Sequence, residues 1–104
     1  VSVKDGNNRI PTEYALYQNY PNPFNPSTRI EFDLPRQSRV TIKIYNMLGV
    51  EVATVIDQRI MDVGVREVTV DGQELPSGIY FYRLEASGMN GESFAKVRRM
   101  VLVK

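Results

Sequence analysis

Hydrophobic and polar residues alternate with a period of two along most of the chain beyond position 28. In the first such run Ile30, Phe32 and Leu34 alternate with charged residues, and Pro35 ends the run. Because successive side chains of a strand point to opposite faces, this alternation is typical of strands that are buried on one face. Further strands are predicted at residues 40–45, 50–56, 65–70, 79–84 and 93–103.

Turn-forming residues separate these runs at intervals of roughly ten residues. They lie at residues 46–49, 71–72 and 87–91. Residues 57–64 are ambiguous, and the apolar positions change phase near Ala53, which predicts a β-bulge. About seven short strands without a convincing helix predict an all-β, immunoglobulin-like antiparallel β-sandwich. A small closed barrel is the alternative.

The most strand-like segment follows a sharp turn at residues 75–78. Pro76 fixes its own φ and Gly78 tolerates positive φ, so the chain can reverse there. Tyr80 then stands where immunoglobulin-like sandwiches carry a tyrosine corner, in which the hydroxyl bonds to the backbone of the preceding turn. An ordinary core tyrosine is the alternative.

Three prolines within residues 20–26 exclude a helix and a central strand there. They favour a stiff, extended segment along a sheet edge, and we expect Tyr20 and Phe24 to anchor it to the core. Upstream of it, a turn cluster predicts that residues 1–12 are a linker from another domain, followed by one domain at residues 13–104.

The composition excludes several kinds of chemistry. The chain has no Cys and no His, so it lacks thiol nucleophiles, disulfides, the Ser-His-Asp triad and the usual zinc or copper ligands. Its 12 carboxylates stand singly on strands or in turns. Glycosidases need two carboxylates that face each other across a cleft, and nothing here indicates one. We therefore predict a protein that is not an enzyme and takes no cofactor or metal.

Charge is concentrated at one end of the chain. The net charge is only +1, which argues against general affinity for nucleic acid or membrane, but residues 96–104 alone carry +4. Two interpretations remain open. The cations protect an edge strand against edge-to-edge pairing, or they mark a strand that a partner recognises by β-augmentation.

Aromatic residues offer a second kind of surface. Two sets are candidates for a sugar-stacking platform: Tyr14, Tyr17, Tyr20 and Phe24, or Phe81 beside Tyr45. The core of a small sandwich also needs aromatic residues, so these side chains can instead be core residues. The chain has no Trp, which weakens the carbohydrate-binding interpretation.

Four motifs occur in a characteristic order: YPNPFNP at 20–26, IYNMLG at 44–49, SGIYFYRL at 77–84 and KVRRMVLVK at 96–104. The series resembles the type A C-terminal sorting domain of the type IX (Por) secretion system over residues 13–104. The first motif is the most specific, since the others are shared with related immunoglobulin-like modules.

The resemblance implies a non-catalytic tag. It implies that this domain is exported to the periplasm with an upstream cargo domain of the same chain and is recognised by the type IX outer-membrane translocon. Sortase-like processing components then remove it, and the cargo is released or anchored at the cell surface. By matching position, the candidates for translocon recognition are Gly78, Tyr80, Leu84, Lys96, Arg98, Arg99, Met100, Val103 and Lys104. The family often has Lys where this chain has Arg98 and Arg99, which preserves charge but changes hydrogen-bond geometry.

Two alternatives to the sorting function remain open. The first is a carbohydrate-binding or cell-attachment module of a secreted glycoside hydrolase, which would make surface polysaccharide a partner. The second is a purely structural immunoglobulin-like spacer.

Overall fold

The computed structural model describes residues 9–104, and this part of the chain forms seven strands. They are β1 (Ala15–Leu16), β2 (Ser27–Leu34), β3 (Ser38–Tyr45), β4 (Glu51–Met61), β5 (Gly64–Asp71), β6 (Gly78–Gly88) and β7 (Ser93–Leu102). One sheet has the order β1-β2-β5 and the other β4-β3-β6-β7, with antiparallel neighbours throughout. This arrangement matches strands A-B-E and C′-C-F-G of immunoglobulin-like sandwiches. The predicted fold is confirmed, and the barrel alternative is wrong.

The predicted alternation places one face of each long strand in a common core. The most deeply buried hydrophobic side chains are Phe24, Ile30, Phe32, Leu34, Val40, Ile42, Ile44, Tyr82, Leu84, Met100 and Leu102. Burying a large apolar side chain contributes about 1.5–3 kcal/mol, so these residues dominate the stabilisation of the sandwich.

Strand β4 is longer and less regular than the sequence indicates. It continues to Met61, so most of the ambiguous residues 57–64 belong to β4 and to the start of β5. Its register with β3 shifts at three points, one of them beside Ala53, where the bulge was predicted. Another lies near Gln58, which has a φ of 49°. Because bulges bend a strand and increase its twist, the free edge of β4 is uneven.

The tyrosine corner is present. The hydroxyl of Tyr80 donates a hydrogen bond to the carbonyl oxygen of Pro76 at 2.6 Å, and the ring is buried. The bond ties the turn at residues 75–78 to the first residues of β6. The alternative of an ordinary core tyrosine is therefore wrong.

The structure tests the predicted linker only in part. Residues 1–8 lie outside the described residues, and Pro11 is buried. The boundary between linker and domain at residue 12 stays a prediction. Within residues 9–104, no helix has the length and apolar character needed to cross a membrane.

We expect Tyr80→Phe to lower the free energy of unfolding by about 1–2 kcal/mol, because it leaves the Pro76 carbonyl without its donor. Tyr45→Phe is the matched control, since the Tyr45 hydroxyl makes no hydrogen bond within residues 9–104 and its ring is half-buried. Urea denaturation followed by circular dichroism measures both. Equal losses in the two variants would contradict a stabilising corner.

Candidate functional site: the outer edge of the terminal strand

Strand β7 is the last strand of the four-stranded sheet and carries four of the nine candidate residues, and two more follow it directly. Met100 and Leu102 face the core and are at most 1% exposed. Arg99 and Val97 point to the opposite, outer face, where Arg99 stands across from Phe81 in the β6–β7 register. The strand therefore has a core face, an outer face and one free lateral edge.

A segment from the start of the domain covers half of that edge. We call residues 16–24 the cover segment. The Phe24 amide donates to the Val101 carbonyl oxygen at 2.9 Å, and the Val103 amide donates to the Phe24 carbonyl oxygen at 2.9 Å. The side-chain oxygen of Asn22 accepts from the Val101 amide at 2.9 Å. This pairing is parallel and occupies backbone groups that an edge strand would otherwise expose.

Phe24 anchors the cover segment, as predicted. Its ring is 1% exposed and lies against Gly72, where an added Cβ would come within 3.1 Å of it. The expectation for Tyr20 is wrong. Its ring is 70% exposed, and only its backbone is engaged, through two hydrogen bonds to the backbone of Arg29. The first proline motif therefore packs through one aromatic residue.

The upstream half of the cover segment binds β7 and β6 through side chains. Gln18 Nε2 donates to the Arg99 carbonyl oxygen at 2.6 Å, and Arg98 Nε donates to the Leu16 carbonyl oxygen at 2.6 Å. The Tyr82 hydroxyl donates to the Tyr17 carbonyl oxygen at 2.7 Å. These bonds join parts of the chain that are far apart in sequence.

The four terminal cations divide into two pairs. Arg98 binds Leu16, and Lys104 Nζ donates to the carbonyl oxygens of Gln73 at 2.6 Å and Leu75 at 3.0 Å. The side chains of Lys96 and Arg99 are exposed and form no hydrogen bond or ion pair within residues 9–104. One pair therefore holds the strand in place, and the other is accessible to a partner.

The remaining predicted residues differ in accessibility. Tyr80, Leu84 and Met100 are buried, Gly78 is half-buried, and Val103 is 50% exposed. A partner that binds the folded domain can contact Val103 directly. The buried residues can affect its binding only indirectly, through the shape of the strands. A role in recognition stays a prediction for all of the candidates.

Sequence reasoning missed the residues that hold the strand edge. Gln18, Asn22 and Gly72 carry the contacts described above but were not singled out. The Asn before Pro23 was a usable signal, because a short polar side chain in an extended segment readily bonds to a neighbouring backbone. Nothing in the local sequence marks Gln18, and the Asp71-Gly72 pair indicated a turn but not a contact with Phe24.

The two candidate aromatic sets lie in different environments. Tyr14 and Phe24 are core residues, so the first set cannot form a platform. Tyr14 stacks on Phe94 with ring centroids 5.4 Å apart. Tyr45 and Phe81 are direct cross-strand partners on the outer face, and they line a shallow depression of about 420 Å³ with Val97.

Two tyrosines have raised pKa values. Burial raises the pKa of Tyr82 to about 12, because the phenolate would lie in the core. The Asp33 carboxylate, which accepts a hydrogen bond from the Tyr17 hydroxyl at 2.6 Å, raises the pKa of Tyr17.

Comparison with known proteins identifies a family and a solved structure with a similar fold. The family model described as "Secretion system C-terminal sorting domain" matches residues 18–97. The crystal structure of CopC from Methylosinus trichosporium OB3b superposes with a TM-score of 0.58 at 16% identity, covering 86% of this chain and 93% of that one. At this identity the likeness concerns the fold alone. No curated protein sequence matches the chain.

We expect Arg98→Gln to lower the free energy of unfolding by about 1–2 kcal/mol, because the Leu16 carbonyl loses a charged donor. Arg99→Gln is the matched control and changes stability by less than about 0.5 kcal/mol, as at an exposed site. Urea denaturation compares the two. Equal effects on both would show that Arg98 does not hold the cover segment.

Stability should also fall in alkaline solution. The pKa of Tyr82 is raised from 10.0 to about 12 on folding, so its contribution is complete below pH 10 and is lost as the pH rises towards 12. We expect Tyr82→Phe to reduce the decline of unfolding free energy across this interval. Tyr20→Phe, at an exposed ring, serves as the control and should leave the decline unchanged. Urea titrations at several pH values measure both slopes.

Proposed function

Because the chain belongs to the type IX secretion C-terminal sorting domain family, we propose that it directs an attached cargo protein through the outer-membrane translocon. The family is a sorting signal, not a catalyst, and membership implies export to the medium or the cell surface. In the proposed route the cargo crosses the periplasm, and the domain is then processed by sortase-like components. The cargo is released or anchored to the surface.

One observation supports this function most directly. The terminal strand presents Lys96 and Arg99 as exposed cations, although the remainder of the charge in residues 96–104 is engaged in holding the fold. Exposed charges of one sign steer the encounter with a partner and orient it. Lys96, Arg99 and Val103 are therefore the contact residues that we favour. Gly78, Tyr80, Leu84 and Met100 then maintain the shape of the two strands, and Arg98 and Lys104 hold them in place.

A carbohydrate-binding function is the second candidate. The pairing of Tyr45 with Phe81 beside an open depression supports it, because aromatic faces bind sugar rings. Binding to polysaccharide that is lost in Tyr45→Ala and Phe81→Ala, with export unaffected, would favour this candidate.

A purely structural spacer is best tested with point variants. Deleting residues 96–104 would remove Met100 and Leu102 from the core, so loss of export would then reflect unfolding as much as lost recognition. Surface substitutions avoid this ambiguity.

The test attaches a fluorescent passenger to residues 1–104 in a bacterium that carries the type IX apparatus. We expect surface fluorescence for the parent and a fall of about tenfold or more for Lys96→Ser combined with Arg99→Ser, the scale on which steering charges raise association rates. Arg39→Ser combined with Arg59→Ser is the matched control, since it removes two exposed cations elsewhere. Circular dichroism of the isolated chains verifies folding.

Equal export of the two double variants would contradict recognition through the terminal cations. If the parent itself remains in the periplasm, the sorting function fails in that host. Polysaccharide binding then becomes the next measurement.

A further inference from the structure

The outer edge of β7 is covered over only half of its length. The backbone groups that bond to the cover segment belong to Arg99, Val101 and Val103, which are alternate residues. The β6–β7 register runs without a shift, so the amide and carbonyl groups of Ala95 and Val97 turn to the same side. No hydrogen bond within residues 9–104 uses these groups, and both residues are exposed.

We propose that an extended strand of the secretion machinery adds to β7 at residues 93–97, beside the cover segment. This inference rests on the proposed sorting function and names the mode of recognition. The molecule itself shows what such an edge binds, since Phe24 already pairs with the other half in extended, parallel form. Strand addition uses backbone groups for affinity and alternate side chains for specificity.

The side chains around the open half define the partner. Val97 is 45% exposed on the outer face and lines the depression that Phe81 also lines. Lys96 points to the opposite face of the strand and is exposed. A complementary strand therefore places an apolar residue next to Val97 and an acidic residue next to Lys96. Arg99, at the boundary with the cover segment, favours further negative charge on the partner.

The other free edges fit this role less well. The edge of β4 is interrupted by three register shifts. The edge of β5 is regular, but its exposed acid Glu67 forms an ion pair with Arg29 of β2 at 3.7 Å, so this acid does not present an unpaired charge at that edge. Because β5 is otherwise a similar edge, it provides the matched control.

The first measurement is amide hydrogen exchange in the isolated chain, followed by NMR. We expect the amides of Ala95 and Val97 to exchange faster than those of Val101 and Val103, which donate to Asn22 and Phe24. On addition of the detergent-purified translocon, exchange at Ala95 and Val97 should slow. Unchanged exchange at both positions despite binding would overturn strand addition at this edge.

The second measurement is export of the passenger fusion carrying Ala95→Pro. Proline removes an outward amide that the domain does not use, and its ring blocks an incoming strand. Thr69→Pro is the control. The backbone groups of Arg29 bond to Tyr20 and therefore point away from β5. Thr69 stands opposite Arg29, so β2 and β5 bond through the alternate residues and the Thr69 amide faces outward. We expect export to fall by about tenfold for Ala95→Pro, as for the loss of one or two backbone hydrogen bonds, and to stay unchanged for Thr69→Pro.

Each outcome decides the inference. Loss of export in folded Ala95→Pro alone supports it. Export of that variant at the parent level overturns strand addition at β7 and leaves the sorting function intact. Loss of export in both Ala95→Pro and Thr69→Pro overturns the choice of β7 as the edge to which the strand adds. Retention of the parent in the periplasm contradicts the sorting function, and this inference falls with it. If Ala95→Pro does not fold, the exchange measurement decides.

Discussion

Backbone pairing along one strand edge is the constraint on which the rest of the structure depends. Strand β7 supplies Met100 and Leu102 to the core, so it must stay in place, yet it lies at the end of its sheet. An edge strand has one side without a neighbouring strand to hold it. The cover segment supplies the missing neighbour over residues 99–103, and Phe24 and Gly72 fix its position.

This arrangement explains why similar residues in adjacent positions serve different ends. Arg98 and Arg99 follow one another in sequence, but the pleat directs them to opposite faces. Arg98 thus meets the cover segment, and Arg99 meets solvent beside Phe81. The local charge of the terminal motif is therefore partly structural. A variant that removes all of it changes folding and recognition together, which is why matched single-face substitutions are informative.

The sequence was sufficient for the fold because the signals involved are local. Alternation along Ile30, Phe32 and Leu34, the turn at Pro76 and the tyrosine at position 80 each concern a few neighbouring residues. The candidate site was predicted only as a strand and a charge. Its covered and open halves depend on Gln18, Asn22 and Phe24, which lie about eighty residues upstream of their partners in sequence. Single-sequence patterns do not report such pairings, and Tyr20 was misassigned because its motif suits either an anchored or a solvent-facing ring.

The position of the open edge has a consequence for how a sorting signal of this kind works. Residues 93–97 pair with β6 on one side. Their other side is a free edge that stops at Arg99, where the bonds to the cover segment begin. An unfolded terminal peptide carries the same cations but neither restraint, and it would have to lose conformational entropy on binding. In the folded domain these residues are already ordered, and the packing of the core has offset the loss of conformational entropy. A receptor that adds a strand here, as proposed above, would therefore distinguish a completed sandwich from an unfolded chain with the same terminal sequence, and its binding would also report that the domain has folded.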